Sequence, residues 1–340
     1  MKLWFAALLA ALLSALGCCG GGRETAAETS SAPVTVENIS VENYFELGPN
    51  IETFSHVPER IVVVGANESE TLMDLGVTRG VIAAVPTQDN PTFGIKACNR
   101  AAFASFPPMK RSEVNAERLL ALQPDLIVAQ QEFFSKNRLG STAYWNGKGV
   151  HTMVPLNTTA PGKLNAVETI AREMKFIRDM GTIFRRDDAA EKIIGDTRAR
   201  IDFIRRETQG GARPKVMILD LMSSIVASYG RDKIAGDMAA AIGADVPHTT
   251  AAVGTENIME ENPDVVFVVV YDEQEEEVQK IRENPAFRHL NFIQNNRLYP
   301  IPLKFVYGPQ TRTIDAIGYM ANRMYPGQFD FATEYDFHVE

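Results

Sequence analysis

One thirteen-residue pattern occurs twice in this chain, at residues 117–129 and again at residues 256–268. Each copy has a glutamate seven residues before a Pro-Asp pair, and an apolar run follows the pair. Because proline cannot continue a helix, the pattern predicts a helix that begins at the glutamate, stops before the proline and leads into a buried strand. Glu117 and Glu256 are 139 positions apart, much farther than the period of a solenoid. The repeat therefore indicates a duplicated α/β lobe.

The N-terminal copy belongs to a longer β-α-β pattern. Residues 60–66 are an apolar, β-branched run that ends in Gly-Ala, which is typical of a strand buried on both faces of a parallel sheet. A helix is predicted at Glu68–Leu75 and the next strand at Val81–Val85. A second α/β region is predicted from Lys215 onward.

A long helical stretch separates the two regions. Its second helix, predicted at Asp187–Thr208, would span roughly 33 Å at the standard helical rise, which is long enough to join two lobes. The predicted fold class is α/β, with two Rossmann-like lobes joined by a long backbone α-helix. The predicted divisions are a signal peptide (1–17), a tether and N-terminal extension (18–57), an N-terminal lobe (58–160), a helical linker (161–212) and a C-terminal lobe (213–340).

Composition excludes some classes of protein. With 45% hydrophobic and 23% charged residues the chain is an ordinary globular one, and its length favours two domains. The formal net charge of −9 disfavours a nucleic-acid partner. Beyond the tether the only cysteine is Cys98, so no disulfide is expected within the folded body.

The N-terminus has the layout of a secretion signal. Lys2 precedes an apolar run, and small residues end at Gly17, directly before Cys18. This segment is similar to the lipobox of bacterial lipoproteins, in which Cys18 would be lipidated and anchor the protein to the membrane. Cys19 is the rival modified residue, and an ordinary signal peptide or an uncleaved anchor remain alternatives. Residues 19–33 are small and polar, as in a flexible tether.

Taken in order, these segments resemble a known family. The residues that carry the likeness are Pro58-Glu-Arg-Ile-Val-Val-Val, the two repeat copies and Asn284-Pro-Ala-Phe. They are similar to the periplasmic binding proteins of ferric-siderophore, haem and vitamin B12 ABC importers, the class III form with a helical backbone. The resemblance implies a monomeric receptor with a ligand cleft between lobes, which delivers its cargo to a permease dimer and its ATPase.

The resemblance also implies that one acidic side chain on each lobe docks against the permease. By position in the repeat these are Glu117 and Glu256. The alternative is that each glutamate only complements the dipole of its own helix, after Asn115 or Thr255 as the N-cap.

Ligands of open α/β lobes bind at loops beyond the carboxyl ends of the strands. The candidate ligand contacts in and near such loops are Arg111, Trp145, Tyr229, Lys304, Tyr307 and Arg312. Arginine suits a carboxylate or a metal-bound oxygen, and tyrosine suits stacking or iron ligation. For each of these residues a packing or surface role is the alternative.

The expected cargo is an iron complex, either a ferric siderophore or haem, with cobalamin and molybdate or tungstate as alternatives. No resident cofactor or protein metal site is expected, because no two of the five histidines have ligand spacing on one element. An enzyme and a surface adhesin are competing interpretations, but the sequence has no nucleophile elbow, Walker loop or His-Glu-x-x-His motif.

Overall fold

The computed structural model describes residues 32–86, 94–158, 167–222, 225–247, 251–271 and 276–333. The predicted signal peptide and Cys18 lie outside the described residues. Eleven strands and twelve α-helices occur in the described part of the chain. The strands are β1 (Val34–Glu42), β2 (Phe45–Phe54), β3 (Ile61–Val64), β4 (Val81–Val85), β5 (Leu126–Ala129), β6 (His151–Met153), β7 (Val216–Met222), β8 (Ile225–Ser228), β9 (Ala251–Ala252), β10 (Val265–Val270) and β11 (Leu298–Pro302). The helices are α1 (Ala66–Asp74), α2 (Arg100–Ala104), α3 (Ala116–Leu122), α4 (Thr142–Asn146), α5 (Ile170–Ile183), α6 (Asp187–Glu207), α7 (Ile234–Ala241), α8 (Thr255–Glu261), α9 (Glu276–Arg282), α10 (Asn291–Gln294), α11 (Leu303–Val306) and α12 (Thr313–Met324).

The N-terminal lobe is built on a parallel sheet with the strand order β4-β3-β5-β6. Ile61 pairs with Leu126 in register, and all four residues of β3 and of β5 are buried. Strands covered on both faces need apolar side chains at every position, which explains the continuous runs in the sequence. The predicted α/β class is confirmed for this lobe.

The C-terminal lobe has five strands in the order β11-β10-β7-β8-β9. Strands β7, β10 and β11 are parallel, whereas β8 and β9 are added antiparallel at one edge. This antiparallel edge was not predicted, because its two strands are short and only part of β8 is buried.

Two packed helices connect the lobes. Helix α6 has 21 residues, or about 31 Å of helical rise. Gly181 on α5 faces α6 so closely that an added Cβ would lie 2.5 Å from the Ala190 Cβ. Glycine at this position therefore permits the close helix pairing. A backbone helix was predicted at Asp187–Thr208, and α6 lies there.

An N-terminal hairpin of β1 and β2 covers the edge of the first lobe. The Asn38 side chain donates to the Val154 carbonyl (3.0 Å) and accepts from the Val154 N–H (2.9 Å). No strand or helix was predicted for this extension. No helix among the described residues is long and apolar enough to cross a membrane.

Candidate functional site

The two copies of the repeat adopt the same local structure. Helices α3 and α8 both end at a residue in the left-handed region, Gln123 (φ 49°) and Asn262 (φ 41°). Each is followed by the Pro-Asp pair and a strand, as the pattern predicts. The sequence repeat is therefore a structural repeat.

The aspartate of each Pro-Asp pair accepts hydrogen bonds from the start of the neighbouring strand in its sheet. Asp125 accepts hydrogen bonds from the backbone N–H groups of Glu59 (2.7 Å) and Arg60 (3.0 Å). In the second lobe, Asp264 accepts from the backbone N–H of Lys215 at 2.9 Å. The carboxylate satisfies backbone donors at the start of β3 and β7, which have no partner within the sheet.

Both predicted docking glutamates are exposed. Glu117 lies in the first turn of α3 and Glu256 in the first turn of α8. Asn115 caps α3 by accepting from the Arg118 N–H at 2.9 Å. Thr255, however, is already inside α8, and the cap position is Gly254. The two carboxylates thus occupy equivalent positions on separate lobes.

A buried polar junction lies between the lobes, where Gln310 connects three elements. Its side-chain N–H donates to Glu68 Oε1 on α1 (3.0 Å), and its backbone N–H donates to Glu173 Oε2 on α5 (2.6 Å). The Thr71 hydroxyl donates to the side-chain carbonyl oxygen of Gln310 (2.6 Å). The sequence did not predict this junction, since these residues are far apart in the chain.

Both glutamates of the junction are fully enclosed, which favours their neutral form. Burial raises the pKa of Glu68 to about 7, against hydrogen bonds from its own backbone, Gln130 and Gln310. Burial likewise raises the pKa of Glu173 to about 8. Gly65, at φ 119°, leaves the space into which the Glu68 carboxylate folds, since an added Cβ would lie 1.9 Å from Glu68 Oε2.

Arg312 does not face an open cleft. Its guanidinium is buried, with a side-chain exposure of 1%, and pairs with the carboxylate of Glu70 on α1. It also donates to the Gly94 carbonyl at 2.5 Å. The predicted ligand contact is therefore occupied by an ion pair between the lobes, because a buried guanidinium requires an anionic partner.

Tyr229 belongs to a cluster at the carboxyl end of the second sheet. Its hydroxyl donates to Asp220 at 2.6 Å, and the Tyr271 hydroxyl approaches both oxygens of the same carboxylate at 3.1 Å. Burial, together with the Asp220 charge, raises the pKa of Tyr229 well above its usual value and that of Tyr271 to about 12. Both side chains are thus neutral phenols at neutral pH. Tyr271 directly follows the apolar run of β10, and this position beyond the end of a strand is the sequence signal that indicates a residue of the cluster.

Tyr307 lies where the lobes meet. Its hydroxyl donates to the Thr158 carbonyl (2.8 Å), and burial with nearby carboxylates, Glu132 first among them, raises the pKa of its phenol. Lys304, one helical turn earlier, is half-buried, and its carbonyl accepts from the Asn67 side chain (3.1 Å).

Arg111 lies in the first lobe, between β4 and α3. It pairs with Glu132 and lies over the Phe133 ring at 4.7 Å from the centroid. Its side chain is 35% exposed, so solvent or a ligand can reach it.

Trp145 lies in the core of the first lobe. It is fully buried, and its indole N–H donates to the Leu139 carbonyl at 2.8 Å. A side chain in this position offers no surface to a ligand, and Trp145 is not part of the cleft. Its large apolar volume explains the core position.

Two α/β lobes joined by a long helix, with polar side chains buried between them, define the class of bilobal solute receptors. The family model of the periplasmic binding proteins matches residues 61–304, well over half of the chain. The chain therefore belongs to the periplasmic binding protein family. This is a family of substrate-binding transport proteins that act outside the cytoplasm, not a family of enzymes.

Solved structures agree with this assignment. A periplasmic binding protein from Veillonella parvula is 26% identical, with a TM-score of 0.78 over 88% of this chain and 93% of its own. An ABC-type Fe3+-hydroxamate transport protein from Saccharomonospora viridis is 19% identical (TM-score 0.64; 85% and 99% covered). A periplasmic haem-binding protein from Roseiflexus sp. is also 19% identical (TM-score 0.57; 79% and 99% covered). No curated protein matches the chain significantly.

Proposed function

We propose that this protein is the lipid-anchored receptor of an ABC importer and that its cargo is an iron complex, a ferric siderophore or haem. The observation that carries the proposal is the paired module, which presents one exposed glutamate at the same helical position on each lobe. An importer with two permease subunits would use such a pair to recognise both lobes at once. The named iron-hydroxamate and haem-binding relatives of the fold support the cargo class.

The chemistry of the cleft favours an anionic chelate. Arg111 offers a planar, partly exposed guanidinium that suits carboxylate, hydroxamate or catecholate oxygens. The phenols of Tyr229 and Tyr271 have raised pKa values and already hydrogen-bond to Asp220, so they would offer a ligand stacking surfaces in preference to phenolate oxygens. Lys304 and Tyr307 complete the proposed contact surface. To bind the ligand, Arg111 would exchange its ion pair with Glu132 for a contact with the chelate.

Lipid anchoring is proposed from the sequence. Cys18 follows a short apolar signal and precedes a small, polar segment. Several acyl chains would hold the receptor firmly at the membrane, and the tether would raise its effective concentration near the permease.

Calorimetry tests the cargo. The mature protein is titrated with ferric hydroxamate and catecholate siderophores, haem, cobalamin and molybdate. An iron complex is expected to bind with a Kd in the micromolar range or below, about −8 kcal/mol or stronger. Arg111→Gln is expected to weaken an anionic chelate about tenfold, whereas Arg118→Gln, an exposed arginine on α3, serves as the control. Binding of cobalamin or molybdate alone would replace the proposed cargo, and no binding would reject the receptor role.

A further inference from the structure

Three exposed apolar side chains lie side by side at the carboxyl edge of the second sheet. Val268 of β10 pairs with Leu219 of β7, and the same register continued by three residues places Tyr271 beside Met222. Met222 in turn pairs with Ile225 across the antiparallel ladder of β7 and β8. Tyr271, Met222 and Ile225 are 50%, 48% and 52% exposed. Neighbouring strands are about 4.8 Å apart, so these three residues form an apolar shelf about 10 Å wide.

A buried carboxylate holds the Tyr271 ring on this shelf. The Tyr271 hydroxyl approaches both oxygens of Asp220 at 3.1 Å, and Asp220 is 1% exposed. Asp220 comes two residues before Met222, so their side chains are on the same face of β7, and the contact with Asp220 puts the tyrosine on that face too. Tyr229 donates to the same carboxylate. Because Asp220 engages both hydroxyl groups, the shelf offers a ligand mainly ring carbon, thioether sulfur and aliphatic carbon.

The shelf is continuous with the proposed ligand contacts. By the register of β10 with β11, the next position beside Tyr271 is Leu303, which precedes Lys304 in α11. On its other side Tyr271 shares Asp220 with Tyr229. Ligands of open α/β lobes bind beyond the carboxyl ends of the strands. A ligand that reaches Lys304 and Tyr229 would therefore lie against the shelf.

We propose that the shelf of Tyr271, Met222 and Ile225 binds a flat aromatic surface of the cargo, either a catecholate ring of a siderophore or the porphyrin of haem. This inference rests on the proposed function and narrows its cargo to chelates that carry aromatic rings. Aromatic side chains stack on flat rings, and methionine sulfur makes favourable contacts with them. Five of the six residues that follow Tyr271 are acidic, so the shelf would receive the ring face of a chelate and not its anionic oxygens. An aliphatic trihydroxamate has no ring face and would gain little from this surface.

Binding of three chelates to the wild-type protein tests the ligand class. Calorimetry compares haem, a ferric tricatecholate siderophore and a ferric trihydroxamate siderophore without aromatic groups. At least one aromatic chelate is expected to bind about tenfold more tightly than the trihydroxamate, and the chelate that does so identifies the source of the ring. An equal or higher affinity for the trihydroxamate would overturn the inference and leave the receptor role intact. If none of the three binds, the proposed cargo is rejected together with the shelf.

Variants then locate the aromatic contact. Tyr271→Ser removes the ring and is expected to weaken binding of the aromatic chelate about tenfold, whereas Tyr271→Phe keeps the ring face and should stay within about threefold of wild type. Met222→Ser should weaken binding about threefold. The matched controls are Tyr144→Ser and Met259→Ser, at side chains that are 40% and 45% exposed and lie outside the shelf.

The comparison is made among variants whose thermal unfolding matches that of the wild type. Trihydroxamate affinity should be the same in all of them. If Tyr271→Ser and Met222→Ser bind the aromatic chelate as tightly as the controls do, or weaken the trihydroxamate equally, the inference is overturned. Unchanged chelate affinity with an altered oligomeric state on size-exclusion chromatography would assign the shelf to a second copy of the chain instead.

Discussion

The buried Glu68 side chain, which lies between the lobes, makes the stability of the protein depend on pH. Its Oε1 accepts from Gln130 and Gln310 (both 3.0 Å), whereas its Oε2 is buried and has no hydrogen-bond partner among the described residues. The pKa of its carboxyl is raised from 4.5 to about 7. The folded protein thus binds more protons than the unfolded chain between these values, and its stability decreases as pH rises through that window.

We expect Glu68→Gln to remove most of this pH dependence. The amide oxygen keeps both hydrogen bonds and the amide nitrogen replaces the unpaired oxygen, while the titrating group is lost. Relative to wild type, the variant should be up to about 3 kcal/mol more stable at pH 8 and unchanged at pH 4.5. Urea unfolding at several pH values measures this. Equal slopes of stability against pH in both proteins would contradict it, and Glu173 would account for any remaining slope because the pKa of its carboxyl is raised to about 8.

Residue-scale features were the least predictable from the sequence. The polar run Glu68 to Thr71 was recognised as part of a helix, yet its side chains are fully buried. Polar residues on a helix usually face solvent, and nothing local identifies a partner such as Arg312, which is 242 positions from Glu70. Arg312 was noted as a ligand contact for its chemistry, and the same chemistry is satisfied within the protein.

At the scale of elements, the repeat predicts two equivalent stabilising aspartates. Replacement of Asp125 by alanine removes the acceptor for two backbone N–H groups of the first lobe, and Asp264→Ala removes the acceptor for the Lys215 N–H and the Asn291 amide (3.2 Å). Each change should lower the free energy of unfolding by about 2 kcal/mol. Because the sites are in different lobes, the double variant should lose the sum within about 0.5 kcal/mol.

Chemical denaturation of the two single variants and the double variant tests this additivity. Asp202→Ala, at an exposed position of α6, is the control and should change stability little. A coupling of more than about 1 kcal/mol between the two aspartates would show that the lobes do not respond independently.

Elements defined by local patterns were predicted well. The strands β3, β5 and β10 were recognisable because each is a continuous apolar run, and helices α3 and α8 because proline limits them. The hairpin of β1 and β2 had no such signal. Its alternate residues are exposed, and its place is set by contacts such as Asn38 with Val154, 116 positions away.

At the scale of the molecule, the two lobes form one body. A single apolar cluster extends from β3 of the first lobe through α5 to α12 of the second. The Gln310 junction and the Glu70–Arg312 ion pair add polar contacts across the same boundary. The sequence predicted two lobes and a connecting helix but not this shared core, since a shared core depends on contacts between distant segments. The arrangement fixes the separation of Glu117 and Glu256.

Because the separation of Glu117 and Glu256 is fixed, charge reversal at these two glutamates tests docking directly. Glu117→Lys and Glu256→Lys should each reduce ligand uptake about tenfold, and the double variant should abolish it, because like charges across an interface are strongly unfavourable. Ligand affinity should stay within about twofold of wild type, since both side chains are exposed in the first turns of α3 and α8 and the candidate ligand contacts lie on other elements. Glu260→Lys, the same charge change one turn further along α8, is the matched control. Uptake of the iron complex and calorimetry are measured in parallel. If ligand affinity falls in parallel with uptake, the two glutamates take part in ligand binding. If Glu260→Lys lowers uptake as much as Glu256→Lys does, the effect comes from the overall charge of the protein and not from docking at these positions.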